Sequence, residues 1–358
     1  MPLTRPDLET IPRYVAGKNP SDVARESGIP EAVKLASNEV PYGPLPGVVE
    51  AVTSAVANTH RYPDPGVVAL RKRLGERYDV DPGRIVAGCG SVALAEHIVR
   101  AAVLPGDEVV YSWRSFEAYP IVTTSCGATS VQVPNTDTHA HDLDAMAAAV
   151  TERTKVVFVC TPNNPTGTAV HAGELDRFLD RVGPDVLVVI DEAYREFVRD
   201  PAVPDGLVAA KDRPNVVVLR TLSKAWGLAG IRVGWLAADP SVADAIRKVV
   251  TPFSVNHVAQ AAALAALDAE DEMNRRVDLV VAERTRVLDT ITSLRADVPD
   301  TQANFLWLPL GDDATEFAAS CEKRGVIVRP FAGDGVRVTI GTPSENDLFL
   351  EAAAELLA

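Results

Sequence analysis

The feature that most constrains the fold is an alternation of short apolar runs with segments of helical periodicity. Strands are predicted at 84–88, 108–111, 130–133, 155–160, 186–190 and 216–219. Strands that are covered on both faces form near-continuous apolar runs. Strands that alternate with helices pair in parallel. The pattern therefore predicts an α/β fold in which a mostly parallel sheet carries helices on both faces.

The chain on either side of this alternation has a different character. Residues 1–45 hold seven prolines, which remove backbone donors, so we expect an extended arm with little regular structure. A long helical pattern at 242–269 should break at Pro252. After Asp300, short strands surround a helix at 314–324, which predicts a smaller α+β domain.

The length of 358 residues suits about two domains. We predict an N-terminal arm that joins part of the small domain (1–45), a large ligand-binding domain (46–250) and a small C-terminal domain (251–358).

Composition excludes several classes of function. The net charge of −14 argues against non-specific nucleic-acid binding. Four scattered cysteines without a C-x-x-C pair indicate reduced thiols rather than a zinc site. The first residues lack signal-peptide features, and no apolar stretch reaches membrane-spanning length. We therefore expect a cytoplasmic protein with no metal and with neither a nucleic-acid nor a membrane partner.

Polar residues follow four of the predicted strands. They are Gly88-Cys89-Gly90-Ser91-Val92, Asn163-Asn164-Pro165-Thr166-Gly167, Asp191-Glu192-Ala193-Tyr194, and Ser223-Lys224 with Arg232 eight residues further on. Ligands of open parallel sheets bind beyond the carboxyl ends of the strands, so these residues should share one rim. A lysine, an arginine and a serine there suit an anionic ligand that also carries an electrophilic carbon.

Each of these motifs has an alternative interpretation when it is taken alone. Gly88-x-Gly90-x-x-Ala93 matches the dinucleotide fingerprint, but the acidic pair Asp107 and Glu108 opens the next strand instead of closing it. A single phosphate at the helix N-terminus fits the glycines as well. Asp191 alone could cap a helix, and Lys224 alone could be a surface lysine. Their convergence on one rim favours a functional site.

Taken together, the motifs resemble those of fold-type I pyridoxal-phosphate aminotransferases. The resemblance runs from about residue 10 to the C-terminus. Within that superfamily it is closest to the branch of the histidinol-phosphate aminotransferases, and most of all to the aromatic amino-acid aminotransferases. It rests on Leu35-Ala36-Ser37-Asn38-Glu39, Arg61-Tyr62-Pro63-Asp64, Asn163 to Gly167, Asp191 to Tyr194, Thr221 to Lys224 with Arg232, and Arg337-Val338-Thr339-Ile340-Gly341. It implies a seven-stranded sheet in the large domain and pyridoxal 5'-phosphate as the cofactor.

The resemblance also implies roles for individual residues. Lys224 would be the catalytic lysine that binds the cofactor and transfers protons. Asp191 would face the ring nitrogen of the cofactor. Tyr62 would reach the cofactor phosphate of the neighbouring subunit, which implies a homodimer. The remaining cofactor-binding residues would be Ser91, Val92, Phe116, Asn164, Tyr194, Ser223 and Arg232.

The substrate-binding residues implied by the resemblance are Arg337, for a carboxylate, together with Arg329, Tyr14 and Asn38. We predict transamination of phenylalanine and tyrosine, with tryptophan as a further candidate, against 2-oxoglutarate. Histidinol phosphate is the alternative donor, because Arg329, Arg337 and Tyr14 could hold its phosphate. The sequence Val92-Ala93 departs from the acidic pair that the histidinol-phosphate branch usually carries there.

Two further hypotheses come from other classes. A pyridoxal-phosphate-binding transcription regulator would need a DNA-binding module before Leu35, and the acidic charge argues against it. A decarboxylase or lyase that uses the same cofactor is compatible with the cofactor motifs. A keto-acid product formed without carbon dioxide would distinguish transamination from decarboxylation.

Overall fold

The computed structural model describes residues 3–11, 18–28, 31–295 and 297–357. The strands are β1 (Val33–Lys34), β2 (Ile85–Gly88), β3 (Glu108–Trp113), β4 (Thr129–Pro134), β5 (Thr154–Cys160), β6 (Leu187–Asp191), β7 (Val216–Thr221), β8 (Gly234–Ala237), β9 (Phe305–Leu308), β10 (Val326–Ile327), β11 (Arg329–Phe331) and β12 (Gly335–Thr339). The helices are α1 (Pro20–Ser27), α2 (Val48–Val56), α3 (Val68–Tyr78), α4 (Gly90–Ala102), α5 (Ala118–Ser125), α6 (Leu143–Ala148), α7 (Ala172–Val182), α8 (Gly206–Ala209), α9 (Pro240–Val249), α10 (His257–Asp268), α11 (Glu270–Leu294), α12 (Ala314–Lys323) and α13 (Pro343–Leu356).

The central sheet of the described chain has seven strands in the order β2-β8-β7-β6-β5-β3-β4. All of them run parallel except β8, which pairs antiparallel with both β2 and β7. The predicted mostly parallel sheet is therefore confirmed, while β8 was missed. This strand is only four residues long and begins with Gly234, so its apolar run is too short to stand out. A Cβ at Gly234 would lie 2.7 Å from the backbone nitrogen of Ser91, which explains the glycine.

Side chains of the central strands alternate between two cores. Phe158 of β5 and Val217 of β7 pack with α4, α5 and α9. Val159 and Val218, one residue further along the same strands, pack with α6 and α7. Because successive strand residues point to opposite faces, both faces are covered and the backbone polar groups pair within the sheet. The predicted helices on both faces are confirmed.

The C-terminal part forms a second, smaller sheet with the order β11-β12-β9, and all of its pairs are antiparallel. Helices α11, α12 and α13 pack around it, so the expected smaller α+β region is confirmed. Strand β1 pairs in parallel with β10, which joins residues near the N-terminus to this part of the molecule. The boundaries at residues 45 and 250 stay a prediction.

The N-terminal arm is more regular than expected. It contains a 3-10 helix at Pro6–Thr10 and the helix α1. Both begin with a proline, and the Asn19 side chain accepts a hydrogen bond from the Ser21 backbone nitrogen. Proline suits the first helical turn, where no intrahelical donor is needed. The proline-rich composition therefore marked helix starts here, and the expectation of little regular structure was wrong.

The long helical pattern around Pro252 is interrupted, as expected. Helix α9 ends at Val249 and α10 begins at His257. Among the described residues, no helix is both long enough and apolar enough to cross a membrane.

Candidate active site

The parallel strands β2, β5, β6 and β7 all end at one edge of the central sheet, which forms the floor of a cleft. The small antiparallel sheet forms the opposite wall. The empty volume of the cleft is about 990 Å³, including its open mouth. Twelve of the predicted site residues line it, namely Asn38, Ser91, Val92, Phe116, Asn164, Asp191, Tyr194, Ser223, Lys224, Arg232, Arg329 and Arg337.

One end of the cleft is built to hold an anion. No described side chain caps the N-terminus of α4, so the backbone N–H groups of Ser91 and Val92 remain available. Nη1 of Arg232 donates to Oγ of Ser223 over 3.3 Å. A Cβ on Gly90 would overlap the Arg232 guanidinium. The glycine, the helix dipole and the guanidinium together form a cradle for a phosphate-sized anion.

Asp191, at the end of β6, is a buried carboxylate with one free oxygen. Its Oδ2 accepts a hydrogen bond of 2.8 Å from the Tyr119 hydroxyl. Its Oδ1 has no hydrogen-bond partner among the described residues. Burial raises the pKa of the Asp191 carboxyl to about 6, against the lowering effect of the Tyr119 hydroxyl. A cationic N–H placed opposite Oδ1 would satisfy this oxygen and stabilise the ionised form.

Lys224 follows β7 and reaches the middle of the cleft. Its Nζ donates a hydrogen bond of 3.1 Å to the backbone carbonyl of Ser37. Burial, together with the positive charges of Arg337 and Arg232, lowers the pKa of the Lys224 ammonium to about 7. At neutral pH about half of the molecules then carry an uncharged amine, which is the form that attacks a carbonyl carbon or accepts a proton.

Asn38, Asn164 and Tyr194 line the cleft between Asp191 and the small sheet. Nδ2 of Asn38 donates to the Tyr194 hydroxyl over 2.9 Å, and Oδ1 of Asn38 accepts from the Thr339 hydroxyl over 3.0 Å. Burial raises the pKa of Tyr194 well above its ordinary value. The phenol therefore stays protonated and remains a hydrogen-bond donor.

Arg329 and Arg337 of the small sheet face the cleft. They lie directly opposite each other on the paired strands β11 and β12. Arg337 donates to Oδ1 of Asn164 over 2.5 Å and to the Ala36 carbonyl over 2.6 Å. Arg329 donates to Oε2 of Glu117 over 2.8 Å. The contacts of Arg337 orient its guanidinium beside Asn164, where it can bind a planar carboxylate.

Aromatic rings form the side walls of the cleft. Phe116 is half-buried and contacts the edge of Tyr119, with the ring centroids 5.6 Å apart. Phe331 of β11 lies under the guanidiniums of Arg329 and Arg337, 5.5 and 5.8 Å from its centroid. Flat apolar surfaces flanked by cations suit a planar ligand ring.

One of the predicted residues that the structure describes does not line this cleft. Tyr62 is 80% exposed and stacks on Phe253 outside it, with centroids 4.4 Å apart. Tyr14 lies outside the described residues.

Several residues of the site were missed from the sequence. Tyr119 supports Asp191, Glu117 pairs with Arg329, and Phe331 forms part of the wall. Helical spacing could have indicated Tyr119, three residues after Phe116. Strand spacing could have indicated Phe331, two residues after Arg329. No local signal pointed to Glu117, because its partner is 212 residues away.

Behind the floor, a buried ion pair joins the strands that carry Asp191 and Lys224. Nε and Nη2 of Arg220 donate to Oε2 of Glu192 over 2.9 and 2.7 Å. Both side chains are almost fully buried. Both nitrogens donate to the same carboxylate oxygen, and this charge-assisted contact links the end of β7 to the residue that follows β6.

Comparison with known proteins agrees with the geometry. The family model "Aminotransferase class I and II" matches residues 30–352. The aromatic amino acid aminotransferase of Streptomyces avermitilis is 56% identical over 98% of this chain and 96% of that protein. The Streptomyces coelicolor protein of the same name is 55% identical over 99% of this chain and 97% of that protein. The crystal structure of histidinol-phosphate aminotransferase from Sinorhizobium meliloti in complex with pyridoxal-5'-phosphate superposes with a TM-score of 0.87. It is 28% identical and covers 100% of this chain and 98% of that one.

The cleft meets the chemical requirements of that cofactor. Oδ1 of Asp191 offers an acceptor for a ring N–H, the α4 cradle offers donors for a phosphate, and Lys224 offers an amine. The family model spans most of the chain, and the motifs predicted from the sequence meet in one cleft. The chain belongs to the class I and II aminotransferases.

Proposed function

We propose that the protein is an aromatic amino-acid aminotransferase that uses pyridoxal 5'-phosphate. Phenylalanine and tyrosine, with tryptophan as a further candidate, would be the donors and 2-oxoglutarate the acceptor. The observation that carries the proposal is the 56% identity to a relative of that name over 98% of this chain. The flat wall made by Phe331 supports an aromatic ring as the donor side chain.

The residues that would hold the cofactor follow from their chemistry. Ser91, Val92, Ser223 and Arg232 would bind the phosphate, and Asp191 would pair with the protonated ring nitrogen. Asn164 and Tyr194 would bind the ring hydroxyl, and Phe116 would stack on the ring. When bound, pyridoxal phosphate supplies the electron sink that makes the donor Cα–H acidic.

Lys224 would move the protons. At neutral pH its amine is partly uncharged because of burial and the neighbouring arginines, so it can take the proton from Cα of the donor. As an ammonium it would then deliver that proton to the aldehyde carbon of the cofactor, on the same face from which it was taken. Arg337 would bind the α-carboxylate bidentately and orient the Cα–H bond toward Lys224. Asn38 would assist by holding Tyr194.

The decisive experiment is a titration of purified holoenzyme with phenylalanine and, separately, with histidinol phosphate. The visible band of the lysine-bound cofactor should disappear with phenylalanine, and phenylpyruvate should accumulate without carbon dioxide. Conversion by histidinol phosphate alone would overturn the aromatic assignment, and carbon dioxide release would overturn transamination. Histidinol phosphate is the less supported donor, because the histidinol-phosphate aminotransferase from Sinorhizobium meliloti is 28% identical, against 56% for the Streptomyces avermitilis protein.

We also propose a homodimer in which Tyr62 reaches the cofactor phosphate of the neighbouring subunit. The support is that Tyr62 is strongly exposed and stacked on Phe253 beside the loop that carries Arg232. Mixing the inactive variants Lys224→Ala and Tyr62→Ala should restore activity, because one mixed site then has both residues intact. If verified mixed dimers show no restored activity, the site is not shared between subunits.

A cytoplasmic location is part of this proposal and is supported by four free cysteines among the described residues.

A further inference from the structure

An ion pair lies at the end of the cleft that faces the small sheet. Nη2 of Arg329 and Oε2 of Glu117 are 2.8 Å apart, and the side chains are only 12% and 31% exposed. Glu117 comes directly after Phe116 and directly before α5, whereas Arg329 belongs to β11. Both residues line the cleft. The pair therefore connects the two walls beside the position proposed for the donor side chain.

A carboxylate holds Arg329 in this wall. Because the guanidinium of Arg329 donates to Oε2 of Glu117, the Glu117–Arg329 pair is electrically neutral as a unit. A partly buried charge interacts far more strongly than one in water, so the neutrality of this pair affects any charged group that enters the cleft.

The neutral pair has different effects on the binding of uncharged and of anionic donor side chains. An uncharged ring can pack beside it without leaving either charge buried and unpaired. A side chain that ends in a carboxylate or phosphate meets Glu117 at close range and is repelled. It must either share the guanidinium of Arg329 with Glu117 or displace Glu117, and in both cases the charge of Glu117 opposes its binding.

We propose that Glu117 is a specificity-determining residue that neutralises Arg329 and sets the preference of the cleft for uncharged over anionic side chains. The inference rests on the proposed function and deepens it. An aminotransferase that pairs aromatic donors with 2-oxoglutarate must accept a ring and a carboxylate in turn. Glu117 controls the balance between the two, because a carboxylate must bind Arg329 against the negative charge of Glu117.

The test compares Glu117→Gln with wild-type holoenzyme, using two ligands that lack the amino group and cannot turn over. 3-Phenylpropionate carries a ring, and glutarate carries a second carboxylate. Dissociation constants measured by titration calorimetry should show glutarate binding about tenfold more tightly to the variant, which corresponds to a single lost charge repulsion. Binding of 3-phenylpropionate should weaken or stay within about threefold.

A matched control uses the other ion pair between the same two segments. Nε of Arg114 donates to Oδ2 of Asp334 over 2.9 Å, but neither residue lines the cleft described above. Asp334→Asn removes a carboxylate of the same kind and should leave the ratio of the two dissociation constants unchanged. Thermal melting of each variant checks that the fold is intact. A shift of the ratio in Asp334→Asn equal to that in Glu117→Gln would overturn the proposal.

Arg329→Gln gives the second arm of the test. In the Arg329→Gln variant, Glu117→Gln should no longer alter the ratio of the two dissociation constants, because the guanidinium that Glu117 neutralises is absent. An unchanged ratio in Glu117→Gln alone, or an undiminished effect in the double variant, would overturn the role of Glu117. Wild-type enzyme that converts no aromatic donor would instead overturn the proposed function, so the two failures are distinguishable.

Discussion

The two ends of the cleft are built in different ways. The cofactor end comprises Ser91, Asp191, Lys224 and Arg232, which lie at or just beyond the carboxyl ends of parallel strands or in the loop that follows. The donor end comprises Glu117, Arg329, Phe331 and Arg337, which come from the small sheet and the segment before α5. At the cofactor end, backbone topology decides which residues meet. At the donor end, hydrogen-bonded residues are distant in sequence. Arg329 and Glu117 are 212 residues apart, and Arg337 and Asn164 are 173 residues apart.

This difference separates the chemistry of the enzyme from its choice of substrate. Parallel strands covered by helices must end on one rim, so the cofactor end follows from the fold itself. The donor end depends on how the small sheet sits against the cleft, and an exchange of one side chain there leaves the fold unchanged. We expect loss of the lysine or of the ring-facing carboxylate at the cofactor end to abolish turnover, and substitutions at the donor end to change substrate binding while cofactor binding is kept.

The largest effect is expected for Lys224→Ala, at the centre of the cofactor end. The substitution removes both the amine that binds the cofactor and the group that transfers protons. Turnover of phenylalanine should fall by at least about 10⁴-fold, and the visible band of the lysine-bound cofactor should be lost. Steady-state kinetics and an absorbance spectrum check both.

Lys224→Arg is the matched control for this prediction. It keeps a positive charge in the cleft but provides no free amine near neutral pH, so it should be nearly as inactive as Lys224→Ala. Substantial activity in either variant would show that proton transfer does not depend on this residue.

Asp191→Asn should have the next largest effect, and it has a pH signature. Burial raises the pKa of Asp191 from 3.8 to about 6 in the folded protein. A raised carboxyl pKa destabilises the fold when the group ionises, so the cost is absent below pH 4 and complete above pH 6. Ionisation of Asp191 in the folded protein therefore costs about 3 kcal/mol in the free energy of unfolding, since one pKa unit is about 1.4 kcal/mol.

The variant without cofactor should therefore gain stability over wild type as the pH rises from 4 to 6.5. Denaturant unfolding at several pH values measures this difference. Turnover should nevertheless fall by about 10³-fold, as for other lost electrostatic partners of a reacting group. A stability difference that does not vary across this pH range would contradict the raised pKa.

The sequence predicted the cofactor end better than the rest of the molecule. Asp191, Asn164 and Lys224 each follow an apolar run that identifies its strand, so local pattern and topology together brought them to one rim. Strand β8 was missed because Gly234–Ala237 is too short to show a period. Helix α1 was missed because the prolines of the N-terminal arm were interpreted as breakers, whereas Pro20 begins the helix after Asn19.

The donor end could be predicted only in part. Arg329 and Arg337 were recognised through the family resemblance, but their partners were not. Nothing in the residues around Glu117 indicates that its side chain meets β11. An ion pair between distant segments depends on the packing of two sheets, and a single sequence does not encode that packing in any local pattern.

Arg337→Lys tests the division between the two ends. Lysine keeps the charge but loses the planar fork that binds a carboxylate at two points. The specificity constant kcat/KM for phenylalanine should fall by about 100-fold, a loss of two charge-assisted hydrogen bonds. The dissociation constant of pyridoxal phosphate, measured by fluorescence, should change by less than about threefold. If cofactor affinity falls in parallel with kcat/KM, the two ends are not separable.

The smallest effect is expected for Tyr119→Phe, which removes one hydroxyl from the cofactor end. This hydroxyl donates to Oδ2 of Asp191 over 2.8 Å and lowers the pKa of the carboxyl against the effect of burial. Without it, the pKa of Asp191 should rise above 6, by about one unit for a hydrogen bond to a charged group. Cofactor binding should then weaken by up to about tenfold near pH 6 and recover at pH 8, where the carboxyl is ionised in both proteins.

Tyr111→Phe is the control for Tyr119→Phe, because it makes the same change in the same aromatic cluster. The two rings are 5.6 Å apart, and the Tyr111 hydroxyl accepts a long hydrogen bond from Gln132 instead of contacting Asp191. Its cofactor affinity should therefore follow the wild-type pH profile. If Tyr119→Phe weakens binding equally at pH 6 and pH 8, the hydroxyl acts through packing and not through the charge of Asp191. The charge of Asp191 would then not depend on its hydrogen bond to Tyr119, and the contrast between the two ends would be one of position rather than of chemistry.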